Sequence, residues 1–72
     1  NNGGSFTMEE WRELCEHYHN KCLACGTIGD YKSLTVDHVI ALSRGGSNNI
    51  DNLQPLCLSC NSSKGARDND YR

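Results

Sequence analysis

The sequence is poor in what builds a self-sufficient core. One tryptophan, one phenylalanine and one methionine stand among 72 residues, and the stretch from Ala41 to Asn52 offers almost nothing to bury. So short a chain hides little apolar surface, and its core supplies at most roughly 3–5 kcal/mol. No apolar run is long enough to cross a membrane, which excludes a spanning helix. No apolar signal segment stands at the start, so the expectation is a cytoplasmic protein. Repeats and low-complexity tracts are absent. A positive balance is missing as well. The formal net charge is −2, so binding to polyanions is expected to be weak and salt-sensitive. The charges are uneven, however. Glu9, Glu10, Glu13 and Glu16 cluster early, whereas Arg44, Lys64 and Arg67 fall near the polar motif described below. Local positive potential there can attract phosphate although the whole chain is acidic.

Cysteine is the residue in excess. Cys22 and Cys25 form one CxxC pair, Cys57 and Cys60 a second, and 31 residues separate the two pairs. Paired cysteines mean disulfides in a secreted chain or zinc in a reducing compartment. A disulfide framework would leave Cys15 over, which favours zinc. Four thiolates close a tetrahedral shell, so the ion would be structural. His19, three residues before Cys22, is an alternative ligand that four cysteines make unnecessary. Cys15 reads as a buried helix thiol.

Thr7 is a good N-cap, with Glu10 completing a capping box and Phe6 and Trp11 suited to a hydrophobic staple. Trp11, Leu14, Cys15 and Tyr18 recur at helical spacing, so a helix is expected over Thr7 to His19. The first knuckle follows at Cys22–Gly26. Leu34, Val36 and His38 alternate with polar residues and predict a strand. Leu53 to Leu56 predicts a second strand, which Pro55 confines to an edge or to the end of pairing. A short helix is expected from Leu58 to about Ala66, ending near Gly65. Residues 1–5 read as a flexible lead-in, 6–66 as a single domain, and 67–72 as a loose charged tail.

Three polar residues call for a chemical role. Asn61 follows Cys60 directly, so an ion held by the knuckle sets where Asn61 begins. A helix packed across the two strands would bring it near Asp37 and His38. Asp37 and Asn61 offer oxygen ligands that, with waters and a phosphate oxygen, suit Mg²⁺ or Mn²⁺. Histidine titrates near neutrality, which suits a general base acting on water. The plain alternatives are a surface aspartate and a helix-capping asparagine. Adjacent strand residues face opposite ways, so Asp37 and His38 share one cleft only where the strand twists, bulges or ends.

Leu34-Thr35-Val36-Asp37-His38-Val39-Ile40, Gly45-Gly46, Asn52-Leu53-Gln54-Pro55-Leu56-Cys57 and Cys60-Asn61-Ser62-Ser63-Lys64-Gly65 together resemble the HNH (His-Asn-His) endonucleases. The resemblance covers about residues 20 to 66. It implies an α+β chain with a small zinc-stabilised ββα-metal (His-Me finger) fold, here with an additional N-terminal helix. It implies His38 as general base, Asn52 as a brace of the loop around it, and Asp37 and Asn61 as ligands of a catalytic Mg²⁺ or Mn²⁺. Asn61 stands where the family often has histidine, a departure that favours hard cations. Cys22, Cys25, Cys57 and Cys60 resemble the structural zinc site of the four-cysteine subgroup. Arg44 and Lys64 flank the site as candidate DNA phosphate contacts.

The implied reaction is hydrolysis of the DNA backbone, one strand per active site, in a bacterial or phage-infected cell. Additional domains or a dimer partner would supply specificity and double-strand cleavage. The alternative is a non-catalytic zinc-knuckle module binding nucleic acid or protein, which would not need Asp37, His38 and Asn61 in register. A CxxC redox protein is set aside, because no thioredoxin-like pattern surrounds either pair.

Overall fold

A computed structural model describes residues 3–72; Asn1 and Asn2, part of the expected lead-in, lie outside the described residues. Helix α1 spans Met8–His17. Its start is a capping box: the Glu10 amide donates to Thr7 Oγ1 (3.0 Å) and the Thr7 amide donates to Glu10 Oε1 (2.8 Å). Two orphan donors of the first turn are thereby satisfied. The helix stops before His19 because His19 and Asn20 take left-handed backbone angles, φ 62° and 56°. The Asn20 amide then returns to the Cys15 carbonyl at 2.8 Å. The expected helix is therefore shorter at this end.

Strands β1 (Thr35–His38) and β2 (Leu53–Leu56) pair antiparallel, with Asp37 opposite Gln54 and His38 opposite Leu53. The Val39 amide donates to the Asn52 carbonyl at 2.8 Å. Antiparallel bonding alternates along the ladder, so Val36 and Pro55 form a non-hydrogen-bonded pair and the missing proline donor costs the ladder nothing. Helix α2 spans Leu58–Lys64 and crosses the hairpin; Cys57 is its N-cap and Gly65, at φ 59°, its end.

Trp11, Cys15, Cys22, Leu34, Leu53 and Leu56 form the core, with Phe6 packed against its margin. The Trp11 indole donates to the Tyr31 carbonyl at 3.0 Å. Burial pushes the Cys15 thiol up to about 11, as suits an inert core thiol. The connection between the strands turns on Gly45-Gly46, and a Cβ at Gly46 would run into the Ile40 carbonyl.

The charged tail makes hydrogen bonds to the rest of the chain. Asp68 Oδ1 accepts from the Ala41 amide (3.1 Å), the Gln54 side-chain amide donates to the Asn69 carbonyl (2.8 Å), and Gln54 Oε1 accepts from the Tyr71 amide (2.9 Å). Arg72 reaches the Asp51 carbonyl at 2.6 Å. The partners of these residues lie on or beside the hairpin, far away in sequence.

Candidate functional site

The two knuckles meet because β2 runs into the second and holds the first. The Leu23 amide donates to the Pro55 carbonyl at 3.1 Å. The sulfurs of Cys22, Cys25, Cys57 and Cys60 all lie within 4.8 Å of one another, and those of Cys25 and Cys57 are 3.8 Å apart. A Zn–S bond of about 2.3 Å gives a tetrahedron with edges of about 3.8 Å, so the cluster fits one zinc ion. Within each pair the second cysteine's amide faces the first's sulfur at 3.5 Å. The Cys25 thiol, hydrogen-bonded to Thr27, is drawn down to about 6. The Cys60 thiol, beside the sulfurs of Cys57, Cys25 and Cys22, is pushed up to about 12. Four sulfurs this close resist carrying four negative charges, and a central divalent cation relieves that conflict. His19 is exposed and stands outside the cluster.

Asp37, His38 and Asn61 line one open cleft of about 290 Å³, together with Val36, Leu42 and Gly65. Strand β1 ends at His38, so two neighbouring residues can border the same opening. The Asn61 side-chain amide donates to Thr35 Oγ1 (2.8 Å) and to the Val36 carbonyl (3.2 Å). A carbonyl only accepts, so the nitrogen end of Asn61 faces the strand and its oxygen turns away from it. Asn52, buried, clamps the loop beyond β1. Its Oδ1 accepts from the Ile40 amide (3.0 Å), and its Nδ2 donates to the carbonyls of Ile40 (3.0 Å) and Ser47 (2.8 Å).

The Asp37 carboxylate is itself buried, 4% exposed. Its Oδ2 receives the Lys64 ammonium at 3.1 Å and the Gln54 amide at 2.9 Å. The Lys64 ammonium also donates to the His38 carbonyl at 3.1 Å. Lys64, expected as a phosphate contact, has a side chain only 1% exposed, and its ammonium is directed inward to Asp37 and the His38 carbonyl. Arg44 remains at the surface, 64% exposed and only 3.7 Å from Asp68. Such a pair contributes little and leaves the guanidinium available. Arg67 caps the end of α2 through the Lys64 and Ser63 carbonyls (3.0 and 2.8 Å).

Two polar residues acquire roles that spacing did not suggest. Gln54 is fully buried and joins Asp37 to the tail. The signal for it was present: a glutamine inside an otherwise apolar strand needs partners. Asn48 meets His38, its Oδ1 lying 2.7 Å from the imidazole Nε2. Nothing in the loop composition marks it.

The Lys64–Asp37 pair makes a testable statement about packing. Removing one partner of a buried ion pair leaves an uncompensated charge, at a cost of about 3–5 kcal/mol. Lys64→Met is therefore expected to lower the stability of the metal-loaded protein by about 3 kcal/mol, read from its urea midpoint. An unchanged midpoint would mean that the ammonium is not enclosed.

The profile of the HNH endonuclease family matches residues 22–67. A protein of Bacillus subtilis (strain 168), YoqL, whose name marks it as a candidate HNH endonuclease derived from the SPbeta prophage, is 35% identical over 68 residues. The match takes in 83% of this chain and 30% of the relative, so the chain spans less than a third of that protein's length.

Proposed function

Because the chain belongs to the HNH endonuclease family, we propose that it hydrolyses phosphodiester bonds of DNA at the cleft bordered by Asp37, His38 and Asn61. The observation that carries this reading is the meeting of those three residues at one solvent-open cleft. Beneath it lies a helix whose first turn is rooted in the cysteine cluster.

His38 removes a proton from a water molecule beside the scissile phosphate. The water oxygen bonds to phosphorus as the bond from phosphorus to the 3′ oxygen breaks. The leaving oxygen takes a proton from solvent, so the products are a 5′-phosphate and a 3′-hydroxyl. Asn52 keeps the loop after His38 from moving by holding both the amide and the carbonyl of Ile40. Lys64 and Gln54 hold Asp37 through Oδ2, so its other oxygen is the one turned to a ligand. A carboxylate and a carboxamide form an oxygen donor set with room for waters, which fits a hard divalent cation. Asp37 and Asn61 would hold Mg²⁺ or Mn²⁺, whose charge would stabilise the developing negative charge on the phosphate oxygens. Arg44, exposed near the rim, would contact backbone phosphate.

One such site cuts one strand. Supercoiled plasmid is therefore expected to become open circle in Mg²⁺ or Mn²⁺, to stay supercoiled in EDTA, and to be nicked again when Mg²⁺ is restored. A folded, zinc-loaded protein that leaves plasmid uncut in both ions would favour a zinc-knuckle binding module instead. Selection of a target sequence, and cutting of both strands, would fall to a partner copy or to further domains. The setting would be the cytoplasm of a bacterial or phage-infected cell.

A further inference from the structure

A histidine base needs one ring nitrogen free and the other fixed, and the bond at the second nitrogen selects the tautomer. His38 Nε2 lies 2.7 Å from Asn48 Oδ1. An amide oxygen only accepts, so Nε2 carries the proton and Nδ1 keeps its lone pair. We propose that Asn48 is a positioning residue that holds His38 in the Nε2–H tautomer and makes Nδ1 the atom that receives the water proton.

The loop around Asn48 is built to hold it still. The Ser47 carbonyl accepts from Asn52 Nδ2 (2.8 Å), Ser47 Oγ accepts from the Asn49 amide (3.2 Å), and the Asn49 carbonyl accepts from the Asn52 amide (2.9 Å). The Asn48 amide donates to the Gly3 carbonyl at 3.1 Å. Its backbone is thus tied both to the start of β2 and to the segment that precedes α1. The His38 backbone is anchored separately, by the neighbouring Val39 amide on the Asn52 carbonyl and by the Lys64 ammonium on its own carbonyl. With both backbones anchored, the remaining freedom is rotation of the imidazole, and the Asn48 contact removes it.

The catalytic half of this proposal rests on His38 being the base; the tautomer half does not, and the experiment separates them. Zinc-loaded, ¹⁵N-labelled protein is observed by long-range ¹H–¹⁵N correlation of the imidazole, above the pH at which the ring is protonated. The expected pattern is a protonated Nε2 and an unprotonated Nδ1. It should give way to an averaged pattern in Asn48→Leu and persist in Asn48→Asp, which keeps an acceptor. In plasmid nicking, Asn48→Leu is expected to lower kcat about 10–100-fold with KM little changed, and Asn48→Asp to recover part of the loss. A proton on Nδ1 in the native protein, or the same tautomer in Asn48→Leu, would overturn the assignment. If His38→Ala abolishes nicking while Asn48→Leu leaves kcat unchanged, the positioning role fails and the base assignment stands. If the native tautomer is Nε2–H but His38→Ala still nicks, the base assignment fails and takes the catalytic half with it.

Discussion

Cys57→Ser is expected to unfold the domain. The residue has two tasks: its sulfur is one of four that fit a single zinc ion, and it caps α2 by accepting from the Cys60 amide. The apolar core is small, six buried residues including Trp11, whereas zinc binding in small domains is worth about 10–16 kcal/mol near neutral pH. Three remaining thiolates bind far more weakly, and the apolar contacts cannot offset the entropy of ordering the chain. Helix α2 would come loose with the second knuckle, taking Asn61 from the cleft and Lys64 from Asp37. Metal analysis together with a thermal melt monitored by circular dichroism provides the test. The native protein should carry about one zinc per chain and melt cooperatively, and the variant should do neither. A sharp transition in a variant free of zinc would show that the sulfur cluster does not hold the fold.

His38→Ala is expected to separate chemistry from folding. The imidazole is only half buried, and neither its place in the strand ladder opposite Leu53 nor the Lys64 bond to its carbonyl needs the ring. Zinc content and melting should therefore stay close to native. Nicking in Mg²⁺ should fall by about 10²–10⁴-fold, the usual contribution of a positioned general base. The contrast with Cys57→Ser is the informative part: one variant keeps the metal and loses the reaction, the other loses both through the fold. Native nicking by His38→Ala would refute the base assignment. Since Asp37 is joined to the buried Lys64, an aspartate substitution would mix loss of the proposed metal ligand with loss of an ion pair. His38 gives the cleaner experiment.

The burial of Lys64 bears on the proposed phosphate contacts as well. With Lys64 turned inward, Arg44, 64% exposed and adjacent in sequence to the cleft residue Ser43, is the expected phosphate contact left at the surface. In a chain of net charge −2, a single surface arginine supplies little long-range attraction for a polyanion.

What could be read along the chain was whatever depends on local spacing. The capping box at Thr7 and Glu10, the two CxxC turns, the strand around Asp37, the edge strand with Pro55 and the helix stop at Gly65 each follow from a few consecutive residues, because their hydrogen bonds close within a turn or alternate with the pleat. The direction of Lys64, the partners of Gln54, the docking of residues 68–72 and the contact between Asn48 and His38 could not be read that way. Each joins residues ten or more positions apart. A lysine on a short helix points to solvent or to a buried carboxylate according to how that helix is rotated over the hairpin. That rotation is set by the metal-type cluster at one end and by the packing of β1 and β2 beneath, so it was decided only when the elements came together.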